Sequence, residues 1–183
     1  GKDPFCDPFC GSGTIPIEAA LIAKNRAPGL DRSFAAQKWK NMDSKLWLEA
    51  GDEAMDKEFH GHYDIWGGDI DPAAVELARH NAELAGVEDC IRFEVADAGK
   101  FHRDSEYGQL VTNPPYGERL LEKKEAEDLY RMFGAALRDL PPKWRVLVLS
   151  SHTEFERCFG RSADKKRKLY NGMIKCDVFM YGK

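Results

Sequence analysis

The feature that most constrains the fold is an alternation of strand-like and helix-like segments along most of the 183 residues. Such an alternation is typical of a parallel β-sheet covered by α-helices. Five strand-like segments lie within DPFCD, YDIWGGDID, CIRFEVAD, YGQLVTNPPY and WRVLVLSS, and two more surround Asn171-Gly172, a dipeptide that favours a tight hairpin. We therefore predict an α/β, doubly wound fold with a seven-stranded, mostly parallel sheet, an antiparallel C-terminal hairpin and helices on both faces.

Three segments between these strands carry the signals of helix ends. TIPIEAALIAKNRA has Pro16 in its first turn, where the missing N–H breaks no helical hydrogen bond. DPAAVELARHNAELAG begins with Asp71 as the cap and Pro72 at the first helical position, and it ends at Gly86. EAEDLYRMFGAALRDL is amphipathic and stops before two prolines. Each of these segments is predicted to be a helix.

The stretch from residue 30 to about residue 62 interrupts the alternation. Its apolar members have helical spacing: Phe34, Trp39, Leu46, Trp47 and Met55. We interpret it as a helical insertion that covers the sheet or, alternatively, helps to shape a substrate cleft. With this insertion, residues 1–183 are expected to form a single domain. Because the chain begins with Gly-Lys rather than Met, we expect it to be a fragment of a longer protein.

Bulk properties narrow the class of protein. The net charge of −4 and the pI of about 5.8 argue weakly against a large nucleic-acid-binding surface. No apolar run approaches the roughly 20 residues that span a bilayer, so no membrane partner is expected. The five cysteines form no Cys-x-x-Cys pair, and His60-x-His62 has no further ligands nearby. We therefore expect reduced thiols in a cytoplasmic protein without a metal site.

Basic residues are concentrated in the segment DKKRK, at residues 164–168, which holds four cations in five residues. A run of this kind is either a solvated surface or a contact to phosphate. The sequence leaves both interpretations open.

A glycine-rich turn, DPFCGSGT, joins the first strand to the first helix. Gly11 and Gly13 let the backbone approach a ligand closely, and the helix N–H groups beyond them attract negative charge. A dinucleotide fingerprint needs a third glycine where Pro16 stands, and the Gly-Lys-Ser/Thr of a P-loop is absent. Binding of NAD or ATP is therefore disfavoured.

Three aspartates end the first three strands, and ligands of open α/β sheets bind at the carboxyl ends of the strands. Asp69 can accept hydrogen bonds from both hydroxyls of a ribose, Asp97 can accept from an adenine amino group, and Asp7 can meet an ammonium group. Each aspartate alone is more often a cap or loop residue. Their joint arrangement suits a ligand that contains ribose, adenine and an amino acid.

The segments DPFCGSGT, GGDID, VAD and NPPY resemble the motifs of class I S-adenosylmethionine-dependent methyltransferases, and NPPY resembles the signature of those that methylate a planar amino nitrogen. The longer stretches DPFCGSGTIPIEAALIAKNRAPGL, NPPYGERL and KLYNGMIKC resemble the family of 23S ribosomal RNA guanine-N2 methyltransferases. That resemblance implies the Rossmann-like class I methyltransferase fold, S-adenosyl-L-methionine as cofactor and RNA, most of all ribosomal RNA, as partner. It also implies an RNA-binding THUMP domain ahead of the catalytic domain in the full-length protein.

The resemblance also implies which residues bind the cofactor. Those placed around its methionine part are Asp7, Gly11 and Gly13. Asp69 would hold the ribose, Ile70 would lie against the adenine ring, and Asp97 would contact the adenine amino group.

The resemblance places the reaction at Asn113, Pro114 and Tyr116. The Asn113 side-chain oxygen and the Pro114 carbonyl can each accept a hydrogen bond from one N–H of an amino group, which directs the lone pair of its nitrogen at the methyl group. Tyr116 can stack on the unstacked base, and the prolines stiffen the turn. No metal or strong base is required, because the sulfonium already carries a good leaving group. Beyond this turn, Glu118 and Arg119 form a surface ion pair, or Arg119 contacts the RNA.

Several alternatives share the NPPY motif. They are guanine-N2 methylation of transfer RNA, adenine-N6 methylation of nucleic acid and glutamine-N5 methylation of a protein. A different class is a non-catalytic module that binds RNA. The extended motif NPPYGERL and the hairpin favour methylation of guanine N2 in RNA.

Overall fold

The computed structural model describes residues 3–30, 32–116 and 120–182. The strands are β1 (Phe5–Asp7), β2 (Ile65–Asp69), β3 (Ile91–Val95), β4 (Tyr107–Thr112), β5 (Lys143–Ser150), β6 (Lys165–Asn171) and β7 (Ile174–Tyr181). The α-helices are α1 (Thr14–Lys24), α2 (Ser44–Asp56), α3 (Pro72–Leu84), α4 (Leu120–Ala136) and α5 (Phe155–Phe159). Short 3₁₀ turns follow several of these elements, among them Ala98–Lys100 after β3.

All seven strands form one sheet in the order β3-β2-β1-β4-β5-β7-β6. The pairs β3–β2, β2–β1, β1–β4 and β4–β5 are parallel, whereas β7 is antiparallel to both of its neighbours. The predicted seven-stranded sheet with an antiparallel C-terminal hairpin is therefore confirmed. The strand order reverses between β1 and β4, and at such a switch point the loops that follow the two strands diverge and leave a crevice.

The C-terminal hairpin forms at the predicted place, with a turn one residue later than the Asn-Gly pattern indicates. Asn171 pairs with Ile174, so the two central residues of the turn are Gly172 and Met173. Gly172 has φ of 60°, in the left-handed region that favours glycine. Asn171 therefore ends β6 as a paired strand residue.

Helices cover both faces of the sheet, as predicted. On one face, α1 and α3 pack over β1, β2 and β3 around Ile17, Val75 and Phe93. On the other face, α4 and α5 pack over β4, β5 and β7, with an aromatic cluster that includes Tyr130 and Phe155. The end signals of α3 are also confirmed, since its Asp71 cap accepts a hydrogen bond from a first-turn N–H at 2.9 Å.

The insertion after α1 is helical, but its described residues, 30 and 32–62, neither cover the sheet nor line the cleft described below. None of the residues of α2 is buried. Its following segment is tied to the end of α1 by a hydrogen bond from Phe59 N to Lys24 O of 2.6 Å and by an ion pair between Arg26 and Glu58 of 2.8 Å. Helix α1 runs away from the carboxyl ends of the strands. This attachment therefore lies at the amino ends of the strands, on the side opposite the cleft.

A glycine allows α4 and α5 to approach each other closely. A Cβ atom on Gly134 would lie 2.0 Å from the carbonyl oxygen of Phe159, which is backbone and cannot rotate away. The five residues of α5 are therefore seated against α4 at a distance that only glycine permits.

We expect Gly134→Ala to lower the free energy of unfolding by about 1–3 kcal/mol or more, because α5 must shift to admit the methyl group. Gly51→Ala in α2 is the matched control, since beyond its chain neighbours and the backbone of its own helix nothing lies within 4 Å of the added Cβ. That variant should gain up to about 1 kcal/mol from helix propensity. Urea unfolding measures both, and equal stability of the two variants would contradict the packing argument.

Candidate active site

A cleft of about 420 Å³ opens at the carboxyl ends of the strands, where the loops after β1, β2, β3 and β4 meet. This volume lies within the range of small-molecule sites. The cleft is lined by seven of the nine residues that the sequence predicted for the site: Gly11, Asp69, Ile70, Asp97, Asn113, Pro114 and Tyr116. Residues expected around the cofactor and residues expected around the reacting nitrogen thus face one common space.

Asp69 ties the glycine turn to the end of β2. Its Oδ2 accepts a hydrogen bond from Gly11 N at 2.9 Å, and its Oδ1 accepts one from Asp71 N at 3.0 Å. A carboxylate offers about four lone-pair sites, so two remain for hydroxyl groups of a ligand. The half-buried carboxylate is therefore fixed in place and still able to accept.

The neighbouring cleft wall combines an apolar side chain with a second carboxylate. Ile70 is 72% exposed, which is unusual for isoleucine and leaves an apolar surface free for a flat ring. Asp97 caps the short turn after β3, where its Oδ1 accepts from Gly99 N at 2.8 Å. Its other oxygen has no hydrogen bond within the part of the chain that the structure describes.

Two predicted residues, Asp7 and Gly13, lie outside the cleft lining. Asp7 is buried, and its Oδ1 accepts hydrogen bonds from Thr112 Oγ1 at 2.5 Å and from Phe9 N at 3.1 Å. Gly13 has φ of 85°, and a Cβ there would lie 3.0 Å from the Cβ of Ala78 in α3. Both residues therefore support the glycine turn from within, and contact with the methionine part of a cofactor stays a prediction.

Burial raises the pKa of the Asp7 carboxyl to about 7, against the lowering effect of its hydrogen bonds from Thr112 and Phe9, and the negative charge of nearby Asp69 adds to the rise. Burial in this way disfavours the charged form. The carboxyl group therefore holds its proton between about pH 4 and pH 7, where an ordinary aspartate is already ionised.

The turn after β4 is held by two tyrosines. Tyr116 donates a hydrogen bond from its hydroxyl to Asn113 Oδ1 at 2.6 Å, and Asn113 itself is exposed. Below the turn, the buried Tyr130 of α4 donates to the Pro115 carbonyl at 2.6 Å. Tyr130 was not predicted from the sequence, because a tyrosine inside an amphipathic helix carries no signal beyond packing. Glu118 and Arg119 lie outside the described residues.

The Tyr116 hydroxyl also reaches the C-terminal hairpin. It lies 3.4 Å from Asn171 Nδ2 and 3.6 Å from Cys176 Sγ. Burial raises the pKa of Tyr116 to about 12, so the hydroxyl stays protonated at neutral pH and donates its hydrogen bond to Asn113 Oδ1. The turn and the hairpin thus meet at one hydroxyl group beside the cleft.

All five cysteines are free thiols in buried positions. Within residues 3–30, 32–116 and 120–182, no group of three His, Cys, Asp or Glu side chains is arranged to hold a metal ion. In the same residues, no helix combines the length and apolarity needed to cross a membrane.

The raised pKa of Asp7 predicts a pH dependence of stability. Since its pKa is about 7 in the folded chain and 3.8 ordinarily, its stabilising contribution is complete below pH 4 and is lost as the pH rises towards 7. We expect the free energy of unfolding to fall between pH 5 and 7, by at most about 1.4 kcal/mol per pH unit, relative to Asp7→Asn, which cannot titrate. Urea unfolding across this range tests it, and parallel curves for the two proteins would contradict the assignment.

Comparison with known proteins gives relatives that are named as RNA methyltransferases and that match nearly the whole of this chain. YpsC of Bacillus subtilis (strain 168), named as a candidate RNA methyltransferase, is 47% identical over 182 residues, 97% of this chain. Ribosomal RNA large subunit methyltransferase K/L of Shewanella baltica (strain OS185) is 42% identical over 180 residues, 96% of this chain. The chain spans 46% of the length of YpsC and 25% of the length of the K/L enzyme.

Solved structures agree in fold. The crystal structure of SMU.472, a methyltransferase candidate complexed with SAH, has a TM-score of 0.94 at 43% identity and covers 99% of this chain and 48% of its own. A Listeria monocytogenes str. 4b F2365 protein, described as a predicted N6-adenine-specific DNA methylase, has a TM-score of 0.92 at 44% identity over 99% of this chain and 47% of its own. The family model of the RMKL-like methyltransferase domain matches residues 1–179, and the chain belongs to this family.

Proposed function

We propose that this domain transfers a methyl group from S-adenosyl-L-methionine to the exocyclic N2 amine of guanine in RNA, with 23S ribosomal RNA as the substrate. The observation that carries the proposal is the common cleft, in which the carboxylates of Asp69 and Asp97 face the Asn-Pro-Pro-Tyr turn. A nucleoside held at one wall places its reactive end beside the turn at the other.

The cleft offers a partner for each part of the cofactor. The carboxylate of Asp69 accepts from the ribose hydroxyls, Ile70 packs against the adenine ring, and the free oxygen of Asp97 accepts from the adenine amino group. The complex of SMU.472 with SAH supports this assignment, because that protein shares the fold over 99% of this chain. When bound, S-adenosylmethionine supplies an electrophilic methyl group on a positively charged sulfur.

The Asn-Pro-Pro-Tyr turn orients the nitrogen that receives the methyl group. Asn113 Oδ1 and the Pro114 carbonyl oxygen each accept a hydrogen bond from one N–H group of the amine, so that its lone pair points into the cleft. Asn113 Oδ1 already accepts from the Tyr116 hydroxyl at 2.6 Å, but a carbonyl oxygen has two lone pairs and the second stays available. Acceptors fixed in advance lower the cost of reorganisation during the reaction.

The comparisons support RNA as the substrate more than they distinguish the base. The names of YpsC and of the K/L enzyme refer to RNA and to ribosomal RNA, whereas that of the Listeria protein refers to adenine N6 in DNA. Adenine N6 is therefore the second candidate, since the same two acceptors suit its amino group. We further propose an RNA-binding THUMP-type domain in the full-length protein.

Calorimetric titration with S-adenosylhomocysteine tests the cofactor site. We expect Asp69→Ala to weaken binding roughly tenfold to a hundredfold, because it removes hydrogen bonds to a charged acceptor. The control Asp64→Ala changes an exposed aspartate just before β2, at the amino ends of the strands. It should leave the affinity for S-adenosylhomocysteine unchanged. NAD should not bind to either protein. Equal affinity of the two variants for S-adenosylhomocysteine would remove Asp69 from the ribose site.

The reaction is tested on unmodified 23S ribosomal RNA by mass spectrometry of the nucleosides. We expect Asn113→Ala to lower kcat by about a hundredfold or more, because one fixed acceptor is lost, while the affinity for S-adenosylhomocysteine persists. Tyr116→Phe keeps the ring but removes the hydroxyl, and it should lower kcat less than Asn113→Ala. Turnover that survives Asn113→Ala would refute the role of this residue. N6-methyladenosine as the product would show that the target base is adenine and not guanine.

A further inference from the structure

The most basic element of the molecule is an exposed edge strand. Four consecutive cations occupy Lys165–Lys168 of β6, in a chain whose net charge is −4. All seven residues of β6 are exposed, and among the strands that the structure describes β7 alone pairs with it. Lysines on an edge strand also discourage pairing with other chains, so the charge alone does not identify a partner.

The two faces of β6 differ in how their charge is balanced. On one face, Lys166 pairs with Glu156 at 2.8 Å, and Lys168 lies opposite Asp177 of β7. On the other face, Lys165 and Arg167 lie opposite Met180 and Val178, two residues without charge. Within the described residues neither Lys165 nor Arg167 has an acidic partner, so their positive charge is left unneutralised on this face.

This face of β6 runs along the edge strand toward the cleft and ends beside it at Asn171. Successive strand residues alternate between faces, so Lys165, Arg167, Leu169 and Asn171 share one face. Asn171 Nδ2 lies 3.4 Å from the Tyr116 hydroxyl. At about 3.3 Å per residue, the row extends roughly 20 Å from the reaction turn. A polymer whose reactive base occupies the cleft would continue along it.

The end of the row nearest the cleft adds exposed apolar surface. Leu169 is 44% exposed, Ile174 is 37% exposed, and Met173 at the tip of the hairpin is 97% exposed. Such side chains can pack against the flat faces of unpaired bases, while cations further along contact phosphates. Lysines that only protect an edge strand from pairing need no apolar side chains beside them. Cations next to exposed apolar side chains therefore favour a nucleic acid as the partner of this face.

We propose that this face of the β6–β7 hairpin, formed by Lys165, Arg167, Leu169, Asn171 and Met173, binds the single-stranded RNA that flanks the target base. Lys165 and Arg167 contact phosphates, and Leu169 and Met173 contact a neighbouring base. The inference rests on the proposed function for its substrate class, and it adds the path that the substrate takes over the surface.

The test compares two double variants of the same strand that remove the same charge from opposite faces. K165Q/R167Q changes the proposed RNA face, and K166Q/K168Q is the matched control. Binding of a labelled single-stranded RNA of about 12 nucleotides is followed by fluorescence anisotropy at several salt concentrations. We expect K165Q/R167Q to weaken binding roughly tenfold and to reduce the slope of log K against log salt by about 1.4, for two lost phosphate contacts. K166Q/K168Q should keep the slope of the wild type.

Methyl transfer and cofactor titration separate this inference from the proposed function. K165Q/R167Q should raise KM for RNA and leave both kcat and the affinity for S-adenosylhomocysteine unchanged. Equal weakening in the two double variants, or none in either, would overturn the assignment of the face. Binding of poly(glutamate) as tightly as RNA would overturn the assignment to a nucleic acid. If the wild type methylates no RNA, the proposed function fails, while the anisotropy comparison still decides whether this face binds RNA.

Discussion

The hydrogen bond between Thr112 and the buried Asp7 carboxyl joins the ends of β1 and β4, the two strands between which the sheet order reverses. The glycine turn leaves β1 from this point, and the Asn-Pro-Pro-Tyr turn leaves β4 one residue after Thr112. The relative position of the two loops therefore depends on a contact of 2.5 Å inside the protein. An acid that keeps its proton can occupy such a position without the cost of burying a full charge.

Above that contact, each wall of the cleft is fixed by a side chain from another element. Asp69 of β2 holds the glycine turn through Gly11, and Tyr130 of α4 holds the proline turn through the Pro115 carbonyl. Polar groups that are held in this way keep their geometry before any ligand arrives. The arrangement explains why the loops of an open sheet can build a site at all: their backbones are tied to the strands and helices below.

Much of the fold could be predicted from the sequence, because strand length, caps and the Asn-Gly turn are local signals. Helix α5 was missed, since five residues are too few to display a helical period, although Phe155 is fully buried. That the site lies at the carboxyl ends of the strands was also predictable. Which strand-end side chains reach the cleft was not: Asp7 turns inward to Thr112, whereas Asp69 lines the cavity. Tyr130 acts on a turn 15 residues away in sequence, and only tertiary packing brings the two together.

The buried cysteines have a chemical consequence for the whole domain. Burial raises the pKa of Cys6 to about 11 and that of Cys10, beside Asp7 and Asp69, to about 12. The thiolate is the form that reacts with alkylating agents and peroxides, and at neutral pH these two groups are almost entirely protonated. Burial therefore disfavours reaction of such reagents with these two thiols, one in β1 and one in the glycine turn that follows it. The rate at which these thiols become labelled then reports how often the sheet around the switch point opens.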